Sequence, residues 1–228
     1  MVTEYDRKKI IGSYSDLVEY LELGCKPQSA WRIGTEHEKF GYSKANFLPL
    51  PYSGKCSIES ILNGLRDKYG WSELLEGDRL IGLSKKGAKV SLEPGGQLEL
   101  SGALLNTVHE TCSEVSQHLD EVKDIGNELG AGFFAFGAAP EWTHSEMPSM
   151  PKGRYQLMSS YMDSVGSHGK VMMYRTCTVQ VNLDFSCERD MVKKMRVALA
   201  LQPVVTAMFA SSPFFEGKIS GYQSWRAQ

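Results

Sequence analysis

The chain has 228 residues, 42% hydrophobic and 23% charged, which suits one large domain or two small ones with a full apolar core. A formal net charge of -2, with lysines and arginines scattered, gives no footing for nucleic acid or an anionic membrane as the main partner. The five cysteines (Cys25, Cys56, Cys112, Cys177 and Cys187) are odd in number and never form a C-x-x-C pair, so they read mostly as buried reduced thiols rather than a zinc site or disulfide framework.

No apolar run approaches a membrane span, and the first residues lack a signal-peptide core, so the chain reads as cytosolic. Ser15 caps a predicted short helix to Leu23 that carries Leu17, Val18 and Leu21 on one face and ends at Gly24. A strand through Trp31–Tyr42 follows. Successive strand side chains point to opposite sides, so Glu36 and Glu38 share a face with Arg32, Gly34 and Phe40 while His37 points the other way. Leu48–Gly54 reads as a loop, and Ile58, Ile61, Leu62, Leu65 and Tyr69 recur at helical spacing behind Ser57. Strands over Arg79–Leu83 and Lys89–Leu92 form a hairpin across Lys85-Lys86-Gly87.

Pro94-Gly95-Gly96 marks a sharp turn, so Glu93 and Glu99 can converge, with Gln97 on the face of Glu99. From Asn106 to Leu129, Val108, Cys112, Val115, Leu119, Val122, Ile125 and Leu129 predict a long helix stopped at Gly130. Phe133–Ala138 is expected to be a buried strand, and Met150–Tyr155 a loop feeding a helix over Tyr155–Met162. Tyr174–Phe185 alternates Thr176, Thr178, Gln180, Asn182 and Asp184 with Cys177, Val179, Val181, Leu183 and Phe185, which predicts a strand with a core face and a ligand-facing polar face. A helix should run from beyond Ser186 to about Ala210, kinked or divided at Pro203, before a loop-like end.

Glu36, Glu38, Glu93 and Glu99 form an all-oxygen donor set suited to Mg²⁺ or Mn²⁺ rather than zinc. Such clusters most often serve phosphate chemistry, although Glu36 and Glu38 alone could equally be solvated acids on a strand edge. There is no Walker A loop; Gly166-Ser-His-Gly-Lys170 reads as a plain turn, and His37 as a packed or exposed side chain rather than a ligand. The residues alone suggest a metal- and nucleotide-dependent enzyme on an antiparallel α+β scaffold.

Arg32-Ile-Gly-Thr-Glu-His-Glu-Lys-Phe-Gly, Leu92-Glu-Pro-Gly-Gly-Gln-Leu-Glu-Leu-Ser-Gly-Ala, Met150-Pro-Lys-Gly-Arg-Tyr, Arg175-Thr-Cys-Thr-Val-Gln-Val-Asn-Leu-Asp-Phe and Ala200-Leu-Gln-Pro occur in the order found in the plant and proteobacterial type of glutamate-cysteine ligase, which the chain resembles from about Ser15 onward. The resemblance implies an antiparallel sheet of the glutamine-synthetase-like ligase type with packed helices. It also implies ATP and Mg²⁺ (or Mn²⁺) as cofactors, with glutamate and cysteine joined into γ-glutamylcysteine through an acyl phosphate, the first step of glutathione synthesis. On that pattern Glu36, Glu38, Glu93 and Glu99 hold metal, Arg154 and Arg226 grip substrate carboxylate or phosphoryl oxygens, and Gln180 and Asn182 line the substrate floor.

The family sequence continues beyond Gln228, so residues 1–228 are expected to be the N-terminal portion of a single ligase domain, with weak ligand binding, no completed turnover and Arg226 on a fraying end. The alternatives are a truncated, non-catalytic remnant or partner of such a ligase, and the same chemistry on another amine acceptor. Leu104 stands where the family commonly has Pro, and the partner of the plant disulfide at the Cys112 position is absent from these residues. A plastid location replaces the cytosolic one if a targeting segment precedes this chain. Nothing in the sequence assigns an oligomeric state.

Overall fold

Residues 10–228 are described by the structure, a computed structural model; the chain start that bears on a signal peptide lies outside them. The central strand β1 (Ile33–Ser43) belongs to an antiparallel sheet with β2 (Ser72–Glu76), β3 (Arg79–Lys85), β4 (Ala88–Leu92), β5 (Leu98–Ser101) and β6 (Ala131–Phe134), in the order β2-β3-β4-β5-β1-β6. The strand β7 (Val179–Leu183) also pairs with β1. The mixed helical and antiparallel architecture is the expected α+β class. Lys86 and Gly87, with φ of 49° and 89°, close the expected β3–β4 hairpin in the left-handed turn that matches strand twist. The edge strand β2 was not expected; its exposed Glu73 and Glu76 hide its alternation.

Alternation sends Val90, Leu92, Leu98 and Leu100 to one side, where they bury against α2 (Ile58–Tyr69) and α3 (Val108–Leu129) in the main core. Ser57 caps α2 as expected, and Gly70 ends it at φ 68°. A Thr107–Glu110 capping box starts α3, which ends at Gly130. Only the second half of its expected apolar stripe is a core stripe: Val122 and Ile125 are buried, whereas Val108, Cys112 and Leu119 are exposed. His118 and Glu121 take the inward positions instead. They can do so because partners await them, Lys39 for His118 and Trp71 for Glu121. The five cysteines are all free thiols, but only Cys177 among them is buried; Cys25 and Cys56 are half-buried and Cys112 and Cys187 exposed.

Further along, β6 lies at 131–134 rather than Phe133–Ala138, because Gly130 turns the chain straight into pairing with Tyr42 and Ser43. The helix α4 (Gly153–Val165) is longer than expected, and α5 (Gly169–Arg175) occupies ground read as a plain turn and the start of a strand. The following strand is therefore confined to β7, and Val179 and Val181 on its expected core face are 62% and 55% exposed. The hairpin β8 (Phe214–Phe215) and β9 (Lys218–Ile219) follows α6 (Glu188–Met208), within which Pro203 sits.

The described chain divides into two compact units, 10–32 with 183–202 and 33–182 with 203–228. In the first, α1 (Tyr14–Glu22) is capped by a Ser13–Asp16 box two residues ahead of the expected Ser15, and its Leu17, Val18 and Leu21 are exposed. Lys26 bonds Asp184 at 2.6 Å, and the Lys194 ammonium lies 3.4 Å from the Trp31 ring centre. The second unit contains the sheet from β1 through β6 and every proposed ligand.

Candidate functional site

The side of the sheet opposite the main core carries the acids. Antiparallel register sets Glu38 opposite Glu99 and Glu36 opposite Ser101, and β4 hands Glu93 into the turn beside them. That turn has one workable backbone: Gly96 has φ 83°, and a Cβ on Gly95 would overlap the Tyr174 carbonyl oxygen. Gln97, read as a companion of Glu99, is buried and structural. Its carbonyl oxygen accepts from the Gly95 N–H at 2.9 Å, while its amide donates to the carbonyls of Met173 and Thr176.

Crowding of like charge shows in the acids' proton affinity. Burial, then Glu93 and Glu99, push Glu38 up to about 7 against a backbone hydrogen bond from Thr178 that favours its charged form. Burial and Glu99 likewise raise Glu93. The Ser101 hydroxyl donates to Glu99. Glu36 stands slightly apart, accepting from Asn182 at 3.1 Å, and Asn182 in turn accepts from Gln180 at 3.1 Å. The expected polar face of β7 therefore meets the acid face through Asn182, an exposed chain of amides rather than a closed floor.

The two arginines flank this group. Arg154, largely exposed, has Nη2 3.9 Å from Glu93 Oε1 and 3.3 Å from the Tyr155 hydroxyl. Arg226 donates from Nε to the Cys177 carbonyl at 3.2 Å, and its charge opposes the rise at Glu38. It does not lie on a loose end: its backbone N–H bonds Ser212 Oγ, and Trp225 N–H bonds the Ser212 carbonyl. Glu38 and Arg226 share a cavity of about 680 Å³ otherwise walled largely by Val179, Val181, Val205, Met208 and Phe209.

Residues outside the expected set support these groups. Lys152 is buried and donates to the Leu92 carbonyl at 2.7 Å, fixing the peptide that carries Glu93. The Tyr155 hydroxyl donates to the same carbonyl. Their place in Pro-Lys-Gly-Arg-Tyr was the only available signal. On the other face, burial lowers Lys39 to about 8, and its ammonium donates to Leu98 and His37 carbonyls and meets His118 Nε2 at 3.0 Å. His37 faces this side, as expected, packed rather than presented to the acids, with Nε2 buried and unpartnered.

The acids suit a divalent cation by charge and donor type. A buried, mutually repelling carboxylate group is relieved by a cation, and the donors are hard oxygens. Among the described residues no three His, Cys, Asp or Glu side chains are placed to hold one ion together. A hard divalent cation such as Mg²⁺ does not need such a trio, since it is usually held by one or two carboxylates and completed by water and phosphate oxygens.

A family model, glutamate-cysteine ligase family 2 (GCS2), matches residues 32–228. The chain belongs to this family. It is 55% identical over 212 residues to a chloroplastic glutamate-cysteine ligase A of Oryza sativa subsp. japonica, covering 93% of this chain and 42% of that protein. Chloroplastic glutamate-cysteine ligases of Nicotiana tabacum and Medicago truncatula are 54% and 52% identical over the same length, covering 40% and 41% of those proteins. This member of the ligase family thus spans about two-fifths of the length of the relatives it matches. No helix among the described residues is long and apolar enough to cross a membrane.

Proposed function

We propose that this chain is the N-terminal portion of a single catalytic domain that joins the γ-carboxylate of glutamate to the amine of cysteine with consumption of ATP. The observation that carries the reading is the group Glu38, Glu93 and Glu99 on the open side of the antiparallel sheet, bracketed by Arg154 and Arg226. The sheet is read as the glutamine-synthetase-like ligase type. Bound Mg²⁺ or Mn²⁺ would offset the negative charge of ATP and make its terminal phosphoryl group transferable to the γ-carboxylate.

The chain's own residues supply position and field. Glu36, Glu38, Glu93 and Glu99 would hold the metal edge, no more than two of them on any one ion, and a cation there would favour the charged form of Glu38 that burial disfavours. Arg154 and Arg226 present planar forks to carboxylate or phosphoryl oxygens from two sides, which fixes the substrate and offsets charge as it shifts between oxygens. Gln180 and Asn182 orient substrate by amide hydrogen bonds. Glutamate, cysteine and ATP are the proposed partners, and the relatives' names favour a plastid location.

Exposed Val179, Val181, Met208 and Phe209 beside Glu38 favour a second reading, a chain that keeps the acid face without completing turnover. Incubation with ATP, Mg²⁺, glutamate and a panel of amines, with ADP release and product mass measured, separates the cases. Cysteine-dependent ADP and γ-glutamylcysteine support the ligase. A better amine overturns the acceptor, and Mg²⁺-dependent ATP binding without ADP release supports the second reading.

A further inference from the structure

Arg175 is 1% exposed, and its side chain is held from one edge and one face. Nη1 donates to Glu216 Oε1 at 2.8 Å, while buried Nε and Nη2 have no hydrogen-bond partner. Its guanidinium carbon lies 4.0 Å from the Phe215 ring centre, and Phe215 stacks on Trp225 with centres 3.7 Å apart and planes at 15°. A planar cation and two aromatic rings form one continuous pile.

The hairpin that delivers Phe215 is held at several points. Glu216 and Gly217 turn with φ of 52° and 71°, the first a left-handed conformation uncomfortable for a residue with a Cβ, and Glu216 commits its side chain to Arg175. Gly217 N–H bonds the Pro140 carbonyl at 2.9 Å. Both ends of the pile then reach Arg226: Trp225 precedes it in the chain, and Cys177, two residues after Arg175, supplies the carbonyl that takes its Nε.

We propose that Arg175, Phe215 and Trp225 are positioning residues that seat Arg226 for a substrate carboxylate. The proposal rests on the ligase reading of Arg226. Phe215 and Trp225 fix the backbone of the turn 225–227, Arg175 and Glu216 fix Phe215, and the guanidinium fork of Arg226 is left aimed by its bond to Cys177. Loss of the stack lets the turn shift by a fraction of its width, enough to misplace a fork without unfolding the sheet.

The test titrates a form of the enzyme that turns over with L-glutamate and, separately, with ATP and Mg²⁺ by calorimetry, alongside melting temperature. Trp225→Leu should weaken glutamate binding about tenfold or more and leave Mg²⁺–ATP binding within about twofold, with Trp225→Phe restoring most of the loss. In an Arg226→Ala background the Leu substitution should add nothing, because both act through one group. Unchanged glutamate binding, an additive loss in that background, or parallel loss of both ligands with a fallen melting temperature would overturn the positioning role. Glutamate binding by that enzyme that is unchanged in Arg226→Ala removes the role of Arg226 and this proposal with it, a failure distinct from loss of the stack alone.

Discussion

Glu38 carries a proton affinity that the strand sequence alone could not show, because it comes from burial and from acids brought alongside by register. Its folded value of about 7 lies above the ordinary 4.5, so its contribution to stability is full below pH 4.5 and is lost as pH rises through 7. Glu38→Gln should therefore melt higher than the parent by about a few degrees at pH 8 and match it near pH 4, read by thermal unfolding across pH. A constant difference across pH would remove the crowded-acid account. Arg154 lies outside the buried core, so Arg154→Lys should cut glutamate-dependent ADP release about tenfold or more in any form of the enzyme that turns over, with the melting temperature nearly unchanged. Parallel loss of both would mark it as a structural ion pair. The shared face of Glu36 and Glu38 was legible, since they are spaced by two along one strand. The supporting set was not: Gln97, Lys152 and Tyr155 act through carbonyls whose position depends on tertiary packing.

Among the elements, caps and turns decide where the acids end up. Gly95 approaches the Tyr174 carbonyl so closely that Gly95→Ala must displace α5 or the turn, at a cost of about 1–3 kcal/mol. A lowered denaturant midpoint together with weaker Mg²⁺–ATP binding is the expected result, whereas full retention of both would show that the turn does not set Glu93. The strongest elements were read correctly from sequence, including α2 behind Ser57, the β3–β4 hairpin at Lys86-Gly87, and α3 as a helix. The misses have physical causes. His118 and Glu121 hide the inward face of α3 because their burial is made tolerable only by distant Lys39 and Trp71. Periodicity does not mark α5 either: the run Val171-Met172-Met173-Tyr174 fits a strand as well as a helix until Tyr174 is seen against the Gly95 turn.

At the scale of the whole molecule, the second unit joins a well-packed sheet and helix layer to an acid face whose neighbouring cavity is lined by exposed apolar side chains. The fold class followed from alternation and helical stripes, and the family from motifs in fixed order; the match over residues 32–228 bears that out. What pattern could not supply was the coverage of each apolar face, since Val179 and Val181 alternate like core residues yet stand exposed. The central claim is that the acid face holds a metal-dependent nucleotide. Calorimetric titration of ATP into a form of the enzyme that turns over, with and without Mg²⁺, tests it most directly when repeated for Glu36→Gln, Glu38→Gln and Glu99→Gln. The account predicts Mg²⁺-dependent binding that weakens in each variant; equal affinity in the parent and all three variants, or binding indifferent to Mg²⁺, would contradict it.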